Sequence, residues 1–154
     1  MDERDKRRVG EEVEPGGRPK APGRLELLQR FVNTYNHDLP AAWDRIGTAD
    51  KATAWLRRKG LVASGDSVST ADAAHLRALR EAVRALVLAN HGGRPDAAAV
   101  EVVRAAARAA PLEVGVGSDG RTALQPAGVG VDGAVATLLG ILHEAQCSGD
   151  WPRL

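Results

Sequence analysis

The chain has 154 residues, enough for one domain, and its 44% apolar content excludes wholesale disorder. Its single cysteine, Cys147, excludes an internal disulfide and any zinc site that needs several thiolates from this chain. Residues 1–24 contain seven Lys and Arg and six Asp and Glu, which leaves 14 positive and 14 negative residues in 25–154. Because DNA-binding domains are usually basic, the neutrality of residues 25–154 argues against a domain that binds DNA by itself.

Residues 1–23 alternate charges of both signs with proline and glycine, and Val9 and Val13 are their only large apolar residues after the initiator. Such a segment cannot bury enough surface to offset its conformational entropy. We therefore predict a disordered arm at 1–23 and a globular domain at 24–154. No apolar run of secretory-signal type follows the start, and no stretch reaches the roughly 20 residues that span a bilayer. A cytoplasmic protein without a membrane partner is expected.

Four helices are predicted before residue 110, because apolar residues recur there at helical spacing. Ser69 and Asp72 are typical of the start of the third helix, and the glycine at 60 is typical of the end of the second. The fourth is rich in alanine, which has the highest helix propensity. The predicted ranges are about 24–36, 50–59, 70–91 and 96–109.

A β-hairpin is predicted around Ser118–Gly120. A two-residue loop would place Val116 opposite Ala123 and send Leu124 to the other face. A three-residue loop places Val116 opposite Thr122 and keeps the apolar residues, including Leu124, on one face. Since a slip of one residue inverts every side chain, we predict the second register, with the loop glycine left-handed in a bulge.

The last helix is predicted from about Asp132 to Gln146 and has no charged residue between Asp132 and Glu144. A helix that is apolar on most sides is usually central. Gly140 within it costs about 1 kcal/mol relative to alanine, so we expect a neighbour to pack closely there. Together the elements predict an α+β fold, predominantly α-helical, with about five helices and one β-hairpin before the last helix.

His143 and Cys147 lie four residues apart, on one face of the last predicted helix. A metalloprotease helix would need a second histidine and a further ligand, and a nucleophilic cysteine usually lies at a helix N-terminus. We interpret the pair as a helix-terminal histidine facing the negative end of the helix dipole beside a small buried cysteine. No catalytic and no metal-binding residue is predicted.

Arg77, Arg80 and Arg84 form one basic stripe on the third helix. One interpretation is a contact with an anion or phosphate. The other, which we favour, is a solvated face whose charge is balanced by Glu81 and Asp72.

Phe31-Val32-Asn33-Thr34 places two polar residues near the end of the first helix. Asn and Thr are poor helix-interior residues because their side chains compete for the backbone. They either bond to a neighbouring loop and fix the fold, which we favour, or line a polar pocket. If a ligand binds, the predicted pocket contains Asn33, Thr34 and His37, with Arg80 as an anion partner.

Four pieces of sequence occur in a familiar order: the Phe-Val-Asn-Thr segment, the helix around Leu76–Arg80, the Asp119-Gly120 hairpin and the terminal Trp151–Leu154. Together they resemble the ABATE domain of bacterial proteins that continue into a CGNR zinc finger, over about residues 25–154. The family is described as stress-related transcription regulators. The composition, with 17 Arg and four Lys, is typical of an actinobacterial, GC-rich source.

The resemblance implies that a DNA-binding zinc finger follows residue 154, with cysteines and a Cys-Gly-Asn-Arg box that this chain lacks. Zinc is then expected only in that finger, no cofactor is expected in this chain, and DNA is contacted only through the finger. We expect a non-enzymatic sensing domain whose small-molecule ligand shifts its conformational population. The alternative is a homodimerisation or protein-interaction domain without a ligand, using the apolar last helix or Trp151.

Overall fold

The computed structural model describes residues 20–154. It confirms the predicted α+β class, with five helices and a two-stranded antiparallel hairpin before the last helix in the described part. Of the predicted arm at 1–23, residues 1–19 lie outside the described residues. The elements are α1 (Leu25–Val32), α2 (Ala49–Arg58), α3 (Thr70–Ala89), α4 (Ala97–Ala109), β1 (Leu112–Val116), β2 (Thr122–Pro126) and α5 (Gly130–Ser148), with short 3₁₀ turns at Ala41–Trp43 and Trp151–Arg153.

Helix α1 begins close to its predicted start but ends earlier than predicted. Ala21 is already buried, and its N–H donates to Gln29 Oε1 at 2.9 Å, so the chain packs on α1 before residue 24. At the other end, Val32 is the last helical residue, whereas the sequence pattern indicated about residue 36. The helix stops because Thr34 N–H bonds to Phe31 O in a tighter turn, and Thr34 O accepts the N–H of Arg45 from a distant loop.

The caps of α2 and α3 agree with the sequence. Thr48 Oγ1 accepts the N–H of Lys51 at the start of α2. Ser69 and Asp72 form a complete capping box at the start of α3, since each side chain accepts from the backbone N–H of the other. Gly60 has a φ of +68° just after α2, the left-handed conformation expected of a C-terminal stop.

The hairpin has the predicted register. Val116 pairs with Thr122, Val114 pairs with Leu124, and Gly117 N–H donates to Arg121 O at 2.7 Å. Gly120 is left-handed, with a φ of +79°, so the three-residue loop is confirmed.

Helix α5 lies at the centre of the domain and contacts α1, α4 and the hairpin. A Cβ on Gly140 would lie 3.5 Å from Leu112 Cδ2, so β1 is the close neighbour that this glycine indicated. Helix α5 is largely buried, and Trp151 packs half-buried against the core. Dimerisation through these surfaces stays a prediction. None of the helices in residues 20–154 is long and apolar enough to cross a membrane.

Candidate functional site

A buried arginine organises the polar region between α1 and α3. Arg80, on the inner face of α3, has a side chain only 3% exposed. Its guanidinium makes a bidentate pair with Asp44, with Nη1 to Oδ1 at 2.7 Å and Nη2 to Oδ2 at 2.9 Å. A buried charge without a partner is very costly, so this pairing is what allows an arginine to occupy the domain interior.

Two further N–H groups of Arg80 are also engaged. Nη1 donates to Thr34 Oγ1 at 3.2 Å, and Nε donates to Glu81 Oε1 at 2.8 Å. Thr34 Oγ1 in turn donates to Phe31 O at 2.8 Å. The Tyr35 ring centroid lies 5.3 Å from the guanidinium carbon, close enough for a cation–π contact.

Asp44 belongs to a short loop that is tied to both helices. Its Oδ1 accepts the N–H of Ile46 at 3.0 Å, the local bond typical of an Asx turn. The backbone N–H of Arg45 donates to Thr34 O, and Arg77 Nη1 donates to Gly47 O at 3.1 Å. Residues 44–47 are therefore held between the end of α1 and the inner face of α3.

A second, half-exposed carboxylate completes the arrangement. Glu81 Oε2 lies 2.9 Å from His37 Nε2 and accepts from Arg84 Nη1 at 2.9 Å. Arg84 Nη2 donates to Val32 O and to Tyr35 O, each at 2.6 Å, so it satisfies carbonyls at the C-terminal end of α1. We call this set the Arg80 network: Thr34, His37, Asp44, Arg80, Glu81 and Arg84.

The electrostatics of the network favour the charged forms of Asp44, Arg80 and Glu81. Burial raises the pKa of Asp44, but hydrogen bonds from Arg80 and the Ile46 N–H and the nearby positive charges outweigh it, so the pKa lies below its usual value. The pKa of Glu81 is lowered in the same way, against burial, by hydrogen bonds from His37 and Arg80. Burial lowers the pKa of Arg80, but the two carboxylates raise it above its usual value.

The interpretation of the arginine stripe as a solvated face is wrong. Arg80 is buried and Arg84 is largely covered, because this face of α3 packs against the end of α1 and the loop at 44–47. Asp72 does not balance the stripe, since its carboxylate caps α3 at Ser69.

The structure brings together three of the four residues of the predicted pocket. Thr34 contacts Arg80 directly, and His37 joins through Glu81. Asn33 instead lines a groove of about 260 Å³ whose lining includes none of the other three predicted pocket residues. Thr34 fixes the fold by bonding Arg80 and the loop, which agrees with the favoured interpretation.

Sequence reasoning missed Asp44 as a partner of Arg80. The pattern Asp-Arg-Ile-Gly favours an Asx turn around a buried Ile46, and a turn aspartate two residues before an isoleucine was the available clue. The local sequence pattern could not indicate that Asp44 pairs with Arg80, because the two residues are 36 positions apart.

The Arg80 network leaves little free bonding capacity. Among residues 20–154, no buried side-chain nitrogen or oxygen lacks a hydrogen-bond partner. An anion would reach Arg80 only by displacing Asp44 or Glu81. A ligand at Asn33, Thr34, His37 and Arg80 stays a prediction.

The second candidate pair, His143 and Cys147, lies near the C-terminal end of α5. Cys147 Sγ is 3.6 Å from His143 Nε2, and Cys147 is exposed, so the interpretation as a buried cysteine is wrong. Within residues 20–154, no three His, Cys, Asp or Glu side chains are grouped so that they could hold a metal ion.

Comparison with known proteins gives one family. The sequence model of the ABATE family, described as "Putative stress-induced transcription regulator", matches residues 25–144, which is more than half of the chain. The chain belongs to the ABATE family. In this ABATE domain the match runs from the start of α1 into α5 and includes the whole Arg80 network. No curated protein and no solved structure matches the chain.

Proposed function

We propose that this ABATE domain is the regulatory, non-catalytic half of a stress-induced transcription regulator, and that DNA is contacted by a zinc finger following residue 154 in the parent protein. Family membership over residues 25–144 supports the regulatory role. The proposal that this domain does not itself contact DNA is supported by the α3 arginines, whose side chains are bonded inside the domain.

Phosphate binding requires clustered cations that are free to neutralise the backbone. Arg77 bonds to backbone carbonyls, Arg80 pairs with Asp44, and Arg84 bonds to Glu81 and to the end of α1. The three arginines on this face of α3 therefore cannot bind DNA phosphates without breaking the bonds that hold the fold. The equal numbers of positive and negative residues in 25–154 favour the same conclusion.

In this proposal, zinc is bound only by the zinc finger and not by this domain. Residues 20–154 contain one cysteine and no group of three side chains suited to a metal, so they do not fit a structural zinc site. No step of the proposed regulation passes through a metal in this domain.

Sensing would act by a population shift. The Arg80 network joins α1, the loop at 44–47 and α3, so an effector that favours one arrangement of these elements would change how the finger is presented. An anion bound by Thr34, His37 and Arg80 would compete with Asp44 and so release the loop at 44–47.

Transcript profiling tests the proposal. A strain that lacks the gene should lose part of its transcriptional response to stress, and the parent gene with every residue of its natural product should restore it. A version with Arg80→Met and Asp44→Leu together, which removes the central ion pair of the network without leaving a buried charge, should restore DNA occupancy but not the stress-dependent change. Identical transcript profiles with and without the gene, under every stress applied, would contradict the proposal.

A further inference from the structure

A cavity away from the Arg80 network opens between α3, α4 and the start of α5. Its volume is about 400 Å³, within the range typical of small-molecule sites. Each of the three helices contributes small or branched apolar side chains to its walls. The residues that matter below are Leu76 and Leu79 on α3, Ala105 and Ala106 on α4, and Val131 and Val135 on α5.

The polar side chains of this cavity are acidic or histidine. Asp72 and His75 come from α3 and Asp132 comes from the first turn of α5, and no Lys or Arg is among the lining residues. Asp72 already accepts hydrogen bonds from Ser69. The side chains of Asp132 and His75 make no hydrogen bond or ion pair with any residue in the range 20–154. The cavity therefore combines an apolar interior with a carboxylate that no cation of the described chain neutralises.

We propose that this cavity binds a small amphiphilic cation, a compact apolar body carrying one ammonium group. The apolar body would displace water from the half-buried Val131 and Val135 and from the alanines of α4, which is favourable in proportion to the apolar area covered. The ammonium would donate to Asp132, with Asp72 adding negative potential at the same rim. The same two carboxylates repel an organic anion of equal size, so charge complementarity selects the class of ligand.

Helix α4 is the wall best suited to respond. Ala99 is its only fully buried residue, and half-buried side chains such as Val103 and Ala106 make its other contacts with the core. Pro111 then leads directly into β1, which packs on α5 at Gly140. A ligand held between α3 and α4 fixes the position of α4 and the strand that follows it. This regulatory consequence rests on the proposed function, whereas the binding itself does not.

Isothermal titration calorimetry of the 154-residue chain tests the site with three probes of similar size: 4-phenylbutylammonium, 4-phenylbutan-1-ol and 5-phenylpentanoate. The ammonium should bind most tightly, the alcohol more weakly, and the carboxylate weakest of all. Amide shifts in a ¹H–¹⁵N spectrum should map to α3, α4 and the start of α5. Absence of binding by the ammonium, or equal binding of the ammonium and the carboxylate, would overturn the proposal.

Two pairs of variants locate the site. Asp132→Asn should weaken the ammonium by roughly two- to fivefold and leave the alcohol unchanged, because the lost contact is a partly exposed ion pair. Asp38→Asn, the same change at an exposed aspartate of the loop after α1, should alter neither. Ala105→Leu fills the cavity and should weaken both probes, whereas Ala107→Leu lies on the exposed part of α4, off the cavity lining. Equal effects within either pair would contradict the assignment.

Both pairs change exposed positions, so their circular dichroism should match that of the unmodified chain. The calorimetry and the transcript profiles test separate proposals, so either proposal can be contradicted without the other. Probes that do not bind would remove the cavity proposal and leave the regulator intact. Unchanged transcripts together with specific binding would remove the regulator and leave a cation-binding domain.

Discussion

At the scale of single residues, the ion pair between Arg80 and Asp44 is the feature on which the junction of α1, the 44–47 loop and α3 depends. Their side chains are 3% and 8% exposed, so water screens their attraction little. Such a pair contributes modestly as a whole, because desolvation offsets much of the attraction, but either partner left alone is an uncompensated buried charge.

Single and double substitutions should show this asymmetry. Arg80→Met should lower the free energy of unfolding by about 3–5 kcal/mol, because Asp44 keeps its buried charge. Arg80→Met combined with Asp44→Leu should be less destabilising than Arg80→Met alone. Urea denaturation at neutral pH measures both. A double variant that is at least as destabilised as Arg80→Met alone would contradict the account.

Acid should destabilise the domain through the same residues. The folded pKa values of Asp44 and Glu81 lie below the ordinary values of 3.8 and 4.5, so their contribution is complete above those values and is lost as the pH falls through the lower folded values. The stabilisation that these two carboxylates contribute should be constant from about pH 7 to pH 5 and then fall. Asp44→Asn should reduce this slope without removing it, because Glu81 and Glu26 also have lowered pKa values. A slope unchanged in Asp44→Asn would show that Asp44 is not held in its charged form.

The positions and partners of individual side chains were predicted from the sequence less completely than the secondary-structure elements or the fold class. The sequence singled out Thr34, His37 and Arg80 as polar residues near one another, but placed the arginine stripe in solvent. Spacing along a helix shows which residues share a face, and it does not show which face meets a loop 36 residues away.

At the scale of elements, the hairpin shows how far local rules extend. Its register follows from alternation of apolar residues and from the loop glycine alone. The end of α1 could not be obtained in this way, because Arg45 and Arg84 reach the carbonyls of residues 32–35 from elsewhere in the chain. The apolar pattern continues to Tyr35, and tertiary hydrogen bonds override it.

A glycine substitution tests the loop of the hairpin. Gly120→Ala should lower the free energy of unfolding by about 1 kcal/mol, since a φ of +79° strains a residue with a Cβ. Gly65→Ala is the matched control, because Gly65 has no positive φ and open space around its Cβ position. It should be neutral or slightly stabilising. Equal losses in thermal unfolding would contradict the left-handed loop conformation.

At the scale of the whole molecule, the balanced charge of residues 25–154 and the packing of the α3 arginines both favour the proposal that DNA is contacted outside this domain. The sequence predicted the α+β class, the central α5 and the family, because these depend on the summed apolar pattern and on motif order. The cavity between α3, α4 and α5 was not predicted, because it depends on how three helices pack. The balance of charges in residues 25–154 was visible from the start, and the structure adds that the α3 arginines face inward.

The central claim is that DNA affinity lies outside residues 25–154, and the salt dependence of DNA binding tests it most directly. Fluorescence anisotropy with a short labelled duplex compares the 154-residue chain with the full natural product of its gene, between about 50 and 200 mM salt. The account predicts no measurable affinity for the 154-residue chain at the higher salt, and binding that weakens steeply with salt for a longer product carrying the finger. Tight, salt-dependent binding by the 154-residue chain alone would contradict it.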